Sequence, residues 1–102
     1  MESLKEKIVF ITGASSGIGK SCAYAFGKAG ANLIISARRK NLIDEIADDI
    51  RKKFNVKVYA YKLDITKRDD VINSVKTLPD EFKKIDILIN NAGICQFKSF
   101  LE

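Results

Sequence analysis

Strands and helices are predicted to alternate along the whole chain. Residues 8–11 and 33–35 are unbroken apolar runs, and residues 86–89 end in a third such run. Short apolar runs of this kind are typical of strands that are buried on both faces of a sheet. Residues 56–61 are rich in valine and tyrosine, which favour strands, and predict one more. The chain is therefore expected to contain four strands.

The segments between the strands predict three helices. The first spans residues 17–29 and the second spans residues 41–53, where apolar residues recur at helical spacing. The third is predicted to begin at a capping box formed by Thr66 and Asp69 and to end at Pro79. Its apolar face is expected to consist of Val71, Ile72, Val75 and Leu78.

Strict alternation of strand and helix predicts an α/β fold with a parallel sheet, because right-handed crossovers return every strand in the same direction. We expect a doubly wound sheet in which the four strands lie in the order 3-2-1-4, within one domain of residues 1–102. The first two helices are expected to cover one face and the third helix the other. A ligand crevice is predicted where the strand order reverses, between the first and fourth strands.

The outer edge of the fourth strand is expected to be open, since no fifth strand is predicted after it. An exposed apolar edge invites pairing with another chain. The sequence therefore predicts a homo-oligomer, assembled through residues 86–90 or by an exchange of elements.

The stretch TGASSGIGKS, residues 12–21, has two interpretations with different chemistry. Read from Ala14, its ending Gly19-Lys20-Ser21 fits a loose phosphate loop of a nucleoside triphosphatase. Read from Gly13, it is a glycine turn with further glycines at 17 and 19, which suits a dinucleotide pyrophosphate. Both place backbone N–H groups and a helix N-terminus against phosphate, so the loop alone does not separate them.

Three features at the ends of other strands favour the dinucleotide. Arg38 and Arg39 follow the second strand, about 20 residues past the last glycine of the turn. At this position an arginine accommodates the 2′-phosphate of NADP, whereas an acidic residue would bind the ribose 2′-OH of NAD. Asp64 follows the third strand, where a carboxylate can accept a hydrogen bond from the adenine amino group. Residues 90–93, Asn-Asn-Ala-Gly, follow the fourth strand with small side chains that allow close approach of a cofactor.

The glycine turn at residues 12–19, Asp64 and the Asn-Asn-Ala-Gly run together resemble the N-terminal half of the short-chain dehydrogenases/reductases, over essentially the whole chain. That resemblance implies a Rossmann-type fold, truncated relative to the full family fold, and an NADP-dependent oxidoreductase acting on a small hydroxy or carbonyl substrate. The segments around residues 37–39, 63–66 and 78–93 look most like NADP-dependent 3-hydroxy acid dehydrogenases. The implied cofactor-binding residues are Gly13, Ser15, Ser16, Gly17, Ile18, Gly19, Arg38, Arg39, Asp64, Ile65, Asn91, Ala92 and Gly93.

No catalytic residue is assigned in the chain. Members of the resembled family use a tyrosine with a lysine four residues later, together with a serine. Tyr24 and Lys28 have this spacing, but they lie in the first helix, on the adenosine side of the cofactor, and are not expected to be catalytic. Two functions remain open: the cofactor-binding portion of an oxidoreductase, or a nucleotide-binding or interaction module without catalysis.

Composition narrows the functional classes further. The chain is 46% hydrophobic and 30% charged with a net charge of +5, but its lysines are scattered, so we expect no nucleic-acid binding. No apolar run is long enough to cross a membrane, and the first residues do not resemble a signal peptide. Two distant cysteines without any histidine predict free thiols in the cytoplasm and no metal site.

The acidic residues of the second predicted helix are interpreted as surface charges, not as a catalytic carboxylate pair. Asp48 with Lys52, and Asp49 with Lys53, have the i,i+4 spacing of ion pairs on an exposed helix face.

Overall fold

Four parallel strands form the centre of one sheet in the computed structural model, which describes residues 4–15, 17–64, 66–90 and 94–96. The strands are β1 (Ile8–Ile11), β2 (Asn32–Ala37), β3 (Val58–Lys62) and β4 (Ile87–Asn90). Their spatial order is β3-β2-β1-β4, which confirms the order predicted from the sequence. The central strand β1 pairs in parallel with both β2 and β4.

A fifth strand, β5 (Ile94–Gln96), covers the outer edge of β4. It runs antiparallel to β4 and pairs Cys95 with Ile89 and Gln96 with Leu88. The prediction that this edge is open for association through residues 86–90 is therefore wrong. A strand of three residues is too short to show the alternation by which strands are recognised in a sequence. The oligomeric state itself stays a prediction.

Helices α1 (Gly17–Lys28) and α2 (Lys40–Phe54) cover one face of the sheet, as predicted. Val9 and Leu33 point from the strands into this layer, where they join Ala23 of α1 and Ile50 of α2 in one buried cluster. Because side chains alternate along a strand, the neighbouring residues of β1 and β2 point to the opposite face.

Helix α3 (Arg68–Lys76) and a 3₁₀ turn (Asp80–Phe82) cover that opposite face. Phe10 and Ile34 meet Val75, Leu78 and Phe82 there in a second buried cluster. Both faces of the central strands are therefore covered, which explains why their sequences are apolar without alternation.

The start of α3 differs from the predicted capping box. The residue that caps the helix is Lys67, and no side chain caps its first turn. The Thr66 hydroxyl instead donates a hydrogen bond to Oδ1 of Asp64, at 2.7 Å. Thr66 therefore stabilises the turn that follows β3, through its hydrogen bonds to Asp64, and does not cap the helix.

The apolar face and the end of α3 also differ from the prediction. Ile72 is 43% exposed, so within the helix Val75 and the half-buried Val71 pack on the core, and Leu78 joins them from the segment after the helix. The helix ends at Lys76, and Pro79 then caps the 3₁₀ turn that follows. A proline disfavours helical backbone at the residue before it, which here is Leu78. Helix α3 already ends before that residue, so Pro79 is not what stops it.

The ion pairs on α2 agree only in part with the expected spacing. Lys53 pairs with Asp49 at 3.2 Å, as expected. Asp48 pairs with Arg51 at 2.8 Å and not with Lys52. Both contacts lie on the exposed side of the helix, where each contributes little to stability.

Ser36 at the end of β2 is fully buried, and its hydroxyl has no hydrogen-bond partner among the described residues. An unsatisfied buried polar group costs about 1–3 kcal/mol. We therefore expect Ser36→Ala to raise the free energy of unfolding by about 1 kcal/mol, measured by urea denaturation. Thr12→Val is the matched control and should be destabilising, because the buried Thr12 hydroxyl is hydrogen-bonded to Asn90. A loss of stability in Ser36→Ala would contradict the assignment of this hydroxyl as unsatisfied.

Candidate cofactor-binding site

The glycine turn between β1 and α1 can be formed only by glycines at key positions. Gly13 and Gly17 have φ angles of 63° and 57°, in the left-handed region that other residues rarely adopt. A Cβ atom at Gly19 would lie 2.3 Å from the carbonyl oxygen of Gly13. The first turn of α1 therefore packs directly on the backbone that leaves β1.

Backbone hydrogen bonds fix this turn to the carboxyl ends of the neighbouring strands. The N–H of Ala14 donates to the carbonyl of Ser36 in β2, and the N–H of Thr12 donates to the carbonyl of Ile89 in β4, both at 3.0 Å. The turn thus lies where the strand order reverses, which is where a ligand crevice was predicted.

The N-terminus of α1 borders open space. Of the atoms that the structure describes outside the adjoining helix turn, none lies within 4 Å of where a Cβ on Gly17 would be, and the next side chain, Ile18, is 73% exposed. The unsatisfied N–H groups and the dipole of a helix N-terminus favour an anion at this position. Ser15 is half-buried in the same turn.

Two arginines follow β2 at the same edge of the sheet. Arg38 and Arg39 are both exposed, and Arg39 has an extended backbone as it caps α2. Within the described part of the chain, neither arginine forms an ion pair with a carboxylate, whereas the next residue, Lys40, pairs with Asp44 at 2.7 Å. The guanidinium groups are therefore available for an anionic ligand.

Asp64 lies beside the arginines, just after β3. The N–H of Leu63 donates to the carbonyl of Ala37 at 2.9 Å, which joins the ends of β3 and β2. The pKa of Asp64 is lowered, first by hydrogen bonds from the hydroxyl and the N–H of Thr66 and then by the charge of Arg38. Both hydrogen bonds reach Oδ1, at 2.7 and 3.0 Å. The carboxylate is thus ionised at neutral pH, with Oδ2 left to accept a further hydrogen bond.

The contact between Thr12 and Asn90 at the candidate site was not predicted from the sequence. The Thr12 hydroxyl and Oδ1 of Asn90 are 3.3 Å apart and connect the ends of β1 and β4, where the strand order reverses. The available signal was that each polar residue directly ends an apolar run, on strands predicted to be neighbours. Ser16, Ile65, Asn91, Ala92 and Gly93, which were also predicted to contact a cofactor, lie outside the described residues.

Tyr24 does not have the environment of a catalytic tyrosine. Its hydroxyl donates to Asp49 of α2, and its ring lies near Phe54 and the ammonium group of Lys53. The hydrogen bond to Asp49, followed by burial, raises the pKa of Tyr24 to about 12. A tyrosine that acts as a proton donor or acceptor needs a pKa near the working pH, so this shift has the wrong direction for catalysis.

The bond between Tyr24 and Asp49 predicts a stability that depends on pH. We expect Tyr24→Phe to lower the free energy of unfolding by about 1 kcal/mol at neutral pH, because one hydrogen bond to a carboxylate is lost. Since the pKa is raised on folding, from its ordinary value of 10.0 to about 12, the stabilisation is complete below pH 10 and declines as the pH rises toward 12. Urea denaturation at several pH values measures this difference. Tyr59→Phe is the control, and a difference that persists undiminished above pH 12 would contradict the assignment.

Two other kinds of site are absent from the described residues. No group of three or more histidine, cysteine or acidic side chains is arranged to hold a metal ion in that part of the chain. None of the helices described there has both the length and the apolar character needed to cross a membrane.

Comparison with known proteins places the chain in a family. Residues 7–102 match the family model described as short chain dehydrogenase. The chain is 45% identical over 95 residues to the NADP-dependent 3-hydroxy acid dehydrogenase of Schizosaccharomyces pombe, covering 92% of this chain and 37% of that protein. It is 41% identical over 99 residues to 11-beta-hydroxysteroid dehydrogenase 1A of Arabidopsis thaliana, covering 97% of this chain and 28% of that protein.

Solved structures show the same relationship. L-sorbose reductase from Gluconobacter frateurii, complexed with NADPH and L-sorbose, is 34% identical with a TM-score of 0.82, covering 98% of this chain and 38% of that one. A short-chain dehydrogenase from Sphingobium yanoikuyae in complex with NADPH is 39% identical with a TM-score of 0.74, covering 93% of this chain and 37% of that one. This chain therefore spans well under half the length of these relatives, and it belongs to the short-chain dehydrogenase family.

Proposed function

We propose that this chain binds NADP(H) and forms the cofactor-binding portion of an oxidoreductase that transfers hydride between NADP(H) and a small hydroxy or carbonyl compound. The observation that carries the proposal is the glycine turn. Gly19 is closed to any side chain by the carbonyl of Gly13, while open space lies in front of the left-handed Gly17. Such a turn brings backbone N–H groups and a helix N-terminus to a pyrophosphate, as in dinucleotide-binding folds.

The choice of NADP over NAD rests on the end of β2. Ala37 is nearly fully buried where an acidic residue would contact the ribose 2′-OH of NAD, and exposed Arg38 follows it. Charge-assisted hydrogen bonds from arginine to a 2′-phosphate would favour NADP. The relatives that carry NADPH or NADP in their names support the same choice.

Each region of the crevice has a separate binding task under this proposal. The glycine turn, with Ser15 and Ser16, binds the pyrophosphate and adenosine ribose, and the arginines hold the 2′-phosphate. Oδ2 of Asp64 accepts from the adenine amino group, with Ile65 beside the ring. Residues 91–93 line the nicotinamide side, where the bound cofactor supplies the hydride donor or acceptor.

The residues of this chain bind and orient the cofactor, and we assign none of them to proton transfer. A general acid or base contributes about 10²–10⁴-fold to the rate of such reactions. Tyr24, with the four-residue spacing to Lys28 that a catalytic pair would have, contacts α2 and not the crevice. We therefore propose that the chain by itself binds NADPH without turning over a substrate. A 3-hydroxy acid is the substrate class that the Schizosaccharomyces pombe relative suggests for the whole enzyme.

Fluorescence titration of the chain with NADPH and with NADH tests this function directly. We expect saturable NADPH binding at least about 10-fold tighter than NADH binding, which is the contribution of one charge-assisted hydrogen bond. Assays of NADPH oxidation with small aldehydes or 3-oxo acids, and of NADP⁺ reduction with serine, should show no turnover. Equal affinity for the two cofactors would contradict the cofactor assignment. Turnover that disappears in Tyr24→Phe would instead show that Tyr24 is catalytic.

A further inference from the structure

The carboxylate of Asp64 is held by one residue of its own turn. The N–H of Thr66 donates to Oδ1 at 3.0 Å, and the hydroxyl of the same residue donates to the same oxygen at 2.7 Å. The N–H of Lys67 donates to the backbone carbonyl of Asp64 at 3.1 Å and closes the turn. Two hydrogen bonds to one oxygen restrict the rotation of the carboxylate, while no residue that the structure describes donates to Oδ2.

The end of β3 fixes this turn to the edge of the sheet where the cofactor is proposed to bind. The N–H of Leu63 donates to the carbonyl of Ala37 at 2.9 Å, and the Leu63 side chain is buried in the cluster beneath α3. The main chain is thus anchored on the amino side of Asp64. The direction of the carboxylate therefore depends on the side-chain torsions that Thr66 restricts.

Two cations compete with Thr66 for this carboxylate. The hydrogen bonds from Thr66 lower the pKa of Asp64 most, and the charges of Arg38 and Lys67 lower it further. Both cations are exposed, and neither forms an ion pair with Asp64 in the described part of the chain. Ion pairs with exposed cations are weak, whereas a short hydrogen bond to a carboxylate is strong. Thr66 therefore holds the carboxylate away from both cations.

A carboxylate held in one direction distinguishes purine bases by the group at their sixth position. Under the proposed function, Oδ2 of Asp64 accepts a hydrogen bond from the 6-amino group of adenine. A 6-oxo base has an acceptor at that position, which an ionised carboxylate repels because it is itself only an acceptor. A carboxylate that turned freely would lose this distinction, since it could accept from the ring N–H beside the oxo group instead.

We propose that Thr66 is a positioning residue for the base of the cofactor, whose hydroxyl holds Asp64 in the direction that selects a 6-amino purine over a 6-oxo purine. This role rests on the proposed function, since it requires the dinucleotide to bind at the glycine turn with its base beside Asp64. Thr66 is not among the residues expected to contact the cofactor, and it acts through the carboxylate alone.

Fluorescence titration with NADPH and with its hypoxanthine analogue, reduced nicotinamide hypoxanthine dinucleotide phosphate, tests the selection. The unmodified chain should bind NADPH at least about 10-fold more tightly, which is the contribution of one charge-assisted hydrogen bond. Thr66→Val keeps the branched side chain and the backbone N–H but lacks the hydroxyl. In this variant the ratio of the two affinities should fall toward 1, mainly through a loss of NADPH affinity.

Two further variants are the controls. Thr66→Ser retains the hydroxyl and should retain the ratio of the unmodified chain. Thr77→Val makes the same chemical change at an exposed threonine whose hydroxyl donates to the carbonyls of Asn73 and Ser74 at the end of α3. It should leave both affinities unchanged. Far-ultraviolet circular dichroism checks that each variant is folded.

The ionisation of Asp64 in the free protein is a second readout, which needs no cofactor. In Thr66→Val the pKa of Asp64 should rise toward its ordinary value, because the hydroxyl is the first cause of its lowering, while the charges of Arg38 and Lys67 remain. In Thr66→Ser the pKa should stay low. Nuclear magnetic resonance of the carboxyl carbon as a function of pH measures this difference.

The possible results separate this role from the function on which it rests. If NADPH does not saturate the unmodified chain, the proposed function is wrong, and the role of Thr66 is wrong with it. If NADPH binds but the unmodified chain does not discriminate between the bases, or Thr66→Val discriminates equally well, only the positioning role is overturned. An equal loss of affinity for both nucleotides in folded Thr66→Val would also overturn it, because the residue would then support the turn as a whole.

Discussion

Gly19→Ala is expected to lose both stability and NADPH binding. The new Cβ would lie 2.3 Å from the carbonyl oxygen of Gly13 and 3.1 Å from the Cα of Ala14, so backbone rather than a flexible side chain must move. Overpacking costs about 1–3 kcal/mol, and a clash with backbone should reach at least about 2 kcal/mol here, beyond the small gain in helix propensity. Displacement of the turn removes N–H donors from the pyrophosphate, and each lost charge-assisted bond weakens binding by about 10-fold or more. Urea denaturation and NADPH titration measure the two effects.

Gly17→Ala separates the two effects. Among the described residues beyond its own helix turn and chain neighbours, none lies within 4 Å of the new methyl group, so the loss of stability should be limited to the cost of a left-handed φ, about 1–2 kcal/mol. The methyl group nevertheless enters the space in front of α1 where the pyrophosphate is proposed to bind. We therefore expect the affinity for NADPH to fall although the protein is folded. An unchanged affinity in folded Gly17→Ala would contradict the proposed position of the pyrophosphate.

Lys20→Ala distinguishes the two interpretations of the same loop. In a triphosphate-binding loop this lysine would contact the terminal phosphates, and its loss would abolish binding. In the dinucleotide interpretation Lys20 is only an exposed residue in the first turns of α1. We expect Lys20→Ala to leave both stability and NADPH affinity unchanged.

Arg38→Ala is expected to remove most of the preference for NADPH over NADH. A charge-assisted hydrogen bond to the 2′-phosphate contributes about 1.5–3 kcal/mol, which corresponds to a 10- to 150-fold loss of NADPH affinity. The affinity for NADH should change little, because NADH has no phosphate at that position. The stability should also change little, since Arg38 is exposed and makes no ion pair with another described residue.

Lys40→Ala is the matched control for the arginine. It removes a positive charge two residues later, but this charge is already paired with Asp44. The ratio of NADPH to NADH affinity should therefore stay close to that of the unmodified chain. An equal fall in both variants would show that the preference depends on the general positive potential of this edge and not on a contact from Arg38.

The central fold could be predicted because the sequence of each strand reflects whether its two faces are buried. Residues 8–11 are apolar without interruption, and this is the signature of a strand covered on both faces. The handedness of crossovers then limits the order of four alternating strands to very few arrangements, of which 3-2-1-4 was the one observed. The glycine turn was equally readable, since each of its glycines meets a separate backbone requirement.

The capping box at Thr66 shows why local patterns were less reliable than the strands. A threonine with an acidic residue three positions later fits a helix start, where its oxygen would accept from a backbone N–H, but its O–H can instead orient to donate to an acceptor that the chain brings near. In the folded protein the carboxylate of Asp64 is that acceptor, so the helix begins one residue later with Lys67 as its cap. The competition between two short-range partners is decided by the path of the chain after β3.

The sequence by itself determined the alternation of strands and helices, the parallel order of the four central strands and the position of the glycine turn where the strand order reverses, because these depend on periodicity and on backbone sterics. Only the tertiary structure decided which edges are covered and which polar groups meet. The pairing of β5 with β4, the bond from Thr12 to Asn90 and the contact of Arg51 with the carbonyl of Val58 join elements through space. A single hydrogen bond or a three-residue strand leaves no periodic signal along the chain, so these contacts can be recognised only once the elements have been packed together.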